Sequence, residues 1–216
     1  MRILNVRVAR SVWLIDARDL NPRGLEIEQV MAAVKDRYSF HVYPTTIEEM
    51  DETTTKGVVF KHGSFVFEDS LYSIASATIF SDGIVVEGAH STDLSDSFLE
   101  DVLGFLSEEF AITFHPKMVH KRLYASELIV ECEKDLGGLF APLAAVEESL
   151  SLLTGRVFQP TGFTLSTDSQ GVAGSPLPFR FEREVNKSFD QRRYYSSAPL
   201  RTSDHEALLQ QLETLF

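Results

Sequence analysis

Cysteine is nearly missing from this chain. Cys132 is the only one, so no intrachain disulfide can form and the covalent staple of small secreted domains is excluded. Its setting, Leu128-Ile129-Val130-Glu131-Cys132, suits a small buried hydrophobe rather than a thiolate nucleophile. No uninterrupted apolar run approaches the roughly 20 residues of a bilayer-spanning helix. Nor does the opening segment 1–16 hold a leader-like apolar region, because Asn5, Arg7, Arg10 and Asp16 interrupt it. These absences predict a cytoplasmic protein without membrane contact, in which the Asn186-Lys187-Ser188 sequon is accidental.

The common catalytic signatures are missing as well. There is no Gly-Lys-Ser/Thr phosphate loop, and Gly171-x-x-Gly174 lacks both the lysine and the strand-to-helix setting that would make it one. A serine nucleophile has no Gly-x-Ser-x-Gly elbow. The six histidines include no pair at i, i+2 or i, i+4, the spacings that bring two imidazoles to one face of a strand or helix, so no metal or other cofactor is expected. Adjacent carboxylates such as Glu48-Glu49, Glu100-Asp101, Glu108-Glu109 and Glu147-Glu148 are mostly the solvated faces of amphipathic helices. No catalytic residue is assigned, no known family's motifs are identifiable, and a non-enzyme is favoured.

What the chain does have is a normal globular composition, 44% hydrophobic and 24% charged, with sixteen Phe to fill a core. The net charge of −12 is unevenly spread. Residues 1–23 hold five Arg against two Asp, whereas 24–155 hold eight Lys or Arg against twenty-three Asp or Glu; residues 156–201 turn basic again, seven against four. The acidic middle repels duplex nucleic acid and favours basic partners, besides keeping the chain soluble.

Apolar periodicity predicts an α+β protein with a mainly antiparallel sheet and about four helices packed on it. A strand is expected over 3–15, a turn through Asn21-Pro22 and Gly24, a helix over 25–37 and a strand over 38–43. The polar segment 45–56 is either a short capped helix or a mobile loop. Residues 57–88 read as a four-stranded meander with turns at His62-Gly63 and Asp82-Gly83. Ser91-Thr92-Asp93 caps a helix over 92–110, which carries Leu94, Phe98, Val102, Leu106 and Phe110 on one stripe. Further strands are expected at 124–132, 157–165 and 178–185. Helices are expected at 142–153, ending at Gly155, and after a Ser203…Glu206 capping box. A single domain over 1–216 results, with any sub-domain boundary near 111–120.

Two constellations are candidate ligand- or partner-binding sites. The first is the loop after the opening strand, where Asp16, Arg18, Asp19 and Arg23 present alternating charges; the plain reading is a salt-bridged surface turn. The second is 179–201, where Arg180, Arg183, Arg192 and Arg193 are interleaved with aromatics that include Tyr194 and Tyr195. Guanidinium forks that hold phosphates and rings that stack on bases would serve a nucleotide. The favoured reading is that the same segment meets the acidic middle of this chain or of a second copy. The leading expectation is a protein-interaction component, a subunit or accessory factor of an assembly, with a protein partner or self-association. The alternative is an enzyme or sensor that binds a phosphorylated small molecule through Arg18, Arg23, Arg192 and Arg193.

Overall fold

The computed structural model describes residues 1–20, 27–110, 112–134, 136–168 and 176–215. The elements in chain order are β1 (Arg2–Leu14), α1 (Ala17–Leu20), α2 (Ile27–Arg37), β2 (Val58–Phe67), β3 (Ser70–Phe80), β4 (Gly83–Gly88), α3 (Thr92–Phe110), β5 (Lys121–Glu131), α4 (Ala144–Thr154), β6 (Gly162–Leu165), β7 (Phe179–Arg183), β8 (Arg193–Ala198) and α5 (Thr202–Thr214). The eight strands form one antiparallel sheet in the order β2-β3-β4-β1-β5-β8-β7-β6. This is the expected α+β class. The chain divides into two compact units, one of residues 7–125 and one of residues 1–6 with 126–216.

In the 7–125 unit the core lies between the β1–β4 sheet and helices α2 and α3. Val30, Met31 and Val34 come from α2, Phe98, Leu99 and Leu103 from α3, and Trp13, Phe60, Ile74 and Val86 from the strands. The α3 stripe buries as its spacing predicts. Its first turn is capped by Ser91, whose Oγ accepts from the Leu94 amide at 3.1 Å. Thr92, Ser95 and Asp96 are the buried polar residues of this helix.

The strand expected over 38–43 does not form beyond a single bridge, Val42 to Lys61. The C-terminus of α2 takes its first residues instead. Ser39 adopts a left-handed φ of 53°, and the Phe40 amide donates back to the Lys35 carbonyl at 3.1 Å, closing the helix in a Schellman motif. Residues 57–88 form three strands rather than four, because His62-Gly63 is not a turn. The Phe40 ring lies over Gly63, where a Cβ would come within 2.4 Å of it, so this glycine serves a close ring approach inside a continuous β2. The β2–β3 turn is Glu68-Asp69, both at positive φ as a type I′ turn requires. The β3–β4 turn is Ser81-Asp82, with Gly83 already paired to Phe80. In segment 45–56 a single 3-10 turn, Glu48–Met50, is present. The Glu49 carboxylate accepts from the amides of Thr45 and Thr46.

In the other unit a smaller core of Leu128, Val130, Cys132, Phe181 and Leu209 lies between α5 and β5, β7 and β8. The expected strand over 157–165 is confined to Gly162–Leu165. The Ser203…Glu206 capping box is not made: α5 begins two residues earlier than that box requires, its N-cap is Arg201, and no side chain caps it. Gly155 does end α4, at φ 66° with its amide on the Ser151 carbonyl, in the conformation glycine adopts without cost.

Candidate functional site

Asp16, Arg18 and Asp19 sit at the end of β1 and in the single turn of α1. Asp16 accepts from the Arg18 amide at 2.9 Å and from its guanidinium at 3.1 and 2.8 Å. The Arg18 fork is therefore closed on its own neighbour, and its hydrogen bonds hold the Asp16 carboxyl down to about 2. Asp19 is exposed and bonds through its backbone to Asp16. Arg23 lies outside the described residues, as do Asn21-Pro22, Gly24 and Gly171-x-x-Gly174.

The basic-aromatic segment belongs to the other unit, and a strand runs through it that its composition concealed. Residues 193–198 form β8, paired with β5 and β7. Strand alternation then separates the candidates. Arg183 pairs with Tyr194 and Phe181 with Ser196 on one face of the sheet, while Arg180 and Tyr195 belong to the opposite face. Tyr194 stacks on Phe181 with centroids 4.7 Å apart at 16°. Arg193 Nε and Glu184 Oε2, both shut from solvent, lie 2.7 Å apart as a close ion pair rather than an aligned hydrogen bond. The Arg192 guanidinium donates to the Glu133 carbonyl, and that of Arg183 to the Lys187 carbonyl. Arg18, Arg192 and Arg193 are thus engaged by acceptors of their own chain.

Two buried polar clusters escaped the sequence reading. In the 7–125 unit, Asp96 accepts from Trp13 Nε1 at 2.8 Å and from the Tyr124 hydroxyl at 2.9 Å. The Arg122 guanidinium lies over the Trp13 ring, 4.1 Å from its centroid. These bonds occupy both carboxylate oxygens and pin α3 to the sheet. In the other unit His205, fully buried, lies between Ser126 Oγ at Nδ1 and Ser196 Oγ at Nε2, each 2.8 Å away. Ser126 Oγ also reaches the Leu200 carbonyl at 3.1 Å and Ser196 Oγ the Arg180 carbonyl at 2.9 Å.

A neutral imidazole brings one proton and the two hydroxyls bring two, so the four contacts share three protons. An imidazolium would fill all four, yet burial opposes the charge and depresses the pKa to about 4. Sealed from solvent, this serine–histidine arrangement is a core fastener and not a nucleophile with its base. Among the described residues no three His, Cys, Asp or Glu side chains are placed to hold a metal ion, and no helix is long and apolar enough to cross a membrane.

The least expected feature is α4. Its apolar side matches the expected helix over 142–153, but none of its residues is buried. Val146 is 56% exposed, Leu152 78% and Leu153 84%. Leu143, Leu150, Val157 and Phe158, in and beside the helix in sequence, are exposed as well. Monomeric surfaces rarely present contiguous apolar patches of this kind unless something binds there. Leu152-Leu153 beside Leu150 was the available signal, since these leucines spread beyond the narrow stripe of an ordinary surface helix. The β6 strand, the last in the sheet order, carries a further exposed leucine, Leu165.

No protein-family model matches the chain and no curated protein matches it significantly, so its function is argued from its own chemistry.

Proposed function

We propose that the protein is an interaction component, a subunit or accessory factor of an assembly, that docks through α4. The carrying observation is an eleven-residue amphipathic helix with no buried residue. Leaving large aliphatic side chains in water forgoes about 1.5–3 kcal/mol for each one that burial would gain, and a partner recovers that energy. The charged residues of α4 are Glu147 and Glu148, with no Lys or Arg in the helix. The fitting occupant is therefore a partner protein with an apolar groove and a basic rim, the helix-in-groove mode of recognition. A second copy would set acidic α4 helices against each other, which like charges oppose. Against the phosphorylated-ligand reading stand the engagement of Arg18, Arg192 and Arg193 and the separation of Arg183 and Tyr194 from Arg180 and Tyr195 by the sheet.

The test is a photo-crosslinking residue at position 153, read in its native cells with and without Leu152→Ser and Val146→Ser. A discrete adduct that the substitutions abolish and that a free peptide of residues 141–158 competes away is expected. Circular dichroism must show the fold unchanged. Absence of any adduct, or an adduct indifferent to both substitutions, rejects α4 as the docking element. Sedimentation of the purified chain tests the other occupant: a dimer that the substitutions dissociate would replace the partner with a second copy.

A further inference from the structure

The core of the 7–125 unit is incompletely filled. Between α2, α3 and the sheet is a cavity of about 130 Å³, lined by Val30 and Met31 from α2, by Phe98 and Val102 from α3, and by Phe60 and Ala77 from the strands. Every described lining side chain is apolar except that of Glu52. Cavities of about 150 Å³ with such walls stay dry and accept a benzene-sized molecule.

Glu52 and Ile27 also line a second, shallower pocket of about 380 Å³, whose other walls include Glu28, Glu48 and Asp51. Among the described residues no Lys or Arg lines either space. Two hydrogen bonds from Thr53 hold Asp51 in its ionised form and lower its pKa. The half-buried Glu52 carboxylate has no hydrogen bond or ion pair to the described residues, nor has that of Glu28 or Glu48. An apolar chamber thus adjoins an acidic vestibule, and the two share a carboxylate that no described residue neutralises.

We propose that this cavity is a binding site for a small amphiphilic cation, an aromatic ring or short hydrocarbon body carrying an ammonium or amidinium head. The body replaces the missing packing in the chamber, and the head reaches the carboxylates around Glu52. A fatty acid or other anionic amphiphile is disfavoured because its carboxylate would meet Glu28, Glu48, Asp51 and Glu52 with no counter-charge among the described residues. The site lies wholly within the 7–125 unit and does not depend on docking through α4.

The experiment compares phenethylammonium, phenylpropionate and ethylbenzene, which share one apolar skeleton and differ in head charge, by titration calorimetry on the full chain. Phenethylammonium is expected to bind at least about tenfold more tightly than phenylpropionate, the scale of a partly screened ion pair at a rim. The Glu28→Gln/Glu48→Gln/Glu52→Gln variant should lose that preference and keep ethylbenzene binding. Ala77→Leu, which fills the chamber, should weaken all three ligands. Because Ala77→Leu risks misfolding, the Met31 methyl resonance provides a second measurement, and it should move when phenethylammonium is added to the wild-type chain. Failure of all three compounds to bind, equal binding of the three, a preference that survives the triple substitution, or a stationary Met31 methyl would each overturn the proposal.

Discussion

Replacing Phe98 by Ala tests whether α3 holds the 7–125 unit together. The ring is 1% exposed and meets Tyr38 at 4.9 Å, Phe65 at 5.5 Å and Phe40 at 6.4 Å between centroids, all edge to face. Core Phe truncations cost about 3–5 kcal/mol, and the spread reflects how far the surroundings collapse into the gap. Here collapse is impeded. Phe98 already borders the 130 Å³ cavity, so the new void enlarges an existing one, and three favourable ring pairs worth about 0.5–1.5 kcal/mol each are lost with it. A loss of about 4–5 kcal/mol, at the upper end, is expected. Trp13 is the only tryptophan, is fully buried and belongs to the same unit, so its emission in a urea titration reports this unit specifically. With a slope of about 2 kcal/mol per molar, the midpoint should fall by about 2 M. A loss under about 2 kcal/mol, below the core-truncation range, would refute the argument that Phe98 is a keystone of this core.

Further outcomes follow from the buried groups and the charge distribution. Burial lowers the His205 pKa from 6.5 to about 4, so between those values the unfolded chain binds more protons than the folded one. The resulting stability is full above pH 6.5 and is lost as pH falls toward 4, about 3 kcal/mol in all; in His205→Gln this part of the pH slope should vanish, and unchanged slopes would contradict it. Burial pushes the Cys132 thiol up to about 12, so a disulfide reagent at pH 8 should leave the native protein unlabelled and modify it only on denaturation; prompt native labelling would contradict that burial. Duplex DNA should not be retained in gel shifts at low micromolar protein in about 0.15 M salt, because residues 24–155 hold twenty-three acidic against eight basic side chains; sequence-independent retention would overturn the charge argument.

Elements whose local signals agree with their burial were legible. In α3 the spacing of Leu94, Phe98, Val102 and Leu106 and the cap at Ser91 are all local, and all are realised. The α+β class followed because most of the strand runs and helical stripes were real. Errors arose where a side chain distant in the sequence, or a helix end that runs past its expected stop, decides a local outcome. The Phe40 ring turns Gly63 from a turn residue into a strand residue, and the cap at Ser39 removes the expected strand over 38–43. Arg193–Ala198 was obscured because its inward position Ser196 is polar, and that residue is matched to His205, nine positions further along the chain. The cavity and its acidic mouth had no sequence signature, since Glu52 becomes distinctive only when α2 and the strands close around it.

The contrast between α3 and α4 locates the functional reading. Both helices carry amphipathic patterns, yet α3 buries Phe98, Leu99 and Leu103 within its own unit while α4 leaves Leu152 and Leu153 in solvent. Periodicity says which side of a helix is apolar; whether anything covers that side is a tertiary fact. The unit that contains α4 also spends its interior on hydrogen-bonded polar groups, with His205, Ser126 and Ser196 buried. Consistency across levels is what makes a sequence specify a structure, and natural proteins depart from it mainly at functional sites. In the 126–216 part of the chain the outward-facing α4 is such a departure, and a groove on another protein would resolve it. In the 7–125 unit the departure is an apolar chamber beside carboxylates without an ion pair among the described residues, which a small amphiphilic cation would resolve. Each mismatch calls for a different ligand chemistry, so the two sites are separable by substitutions that leave the other untouched.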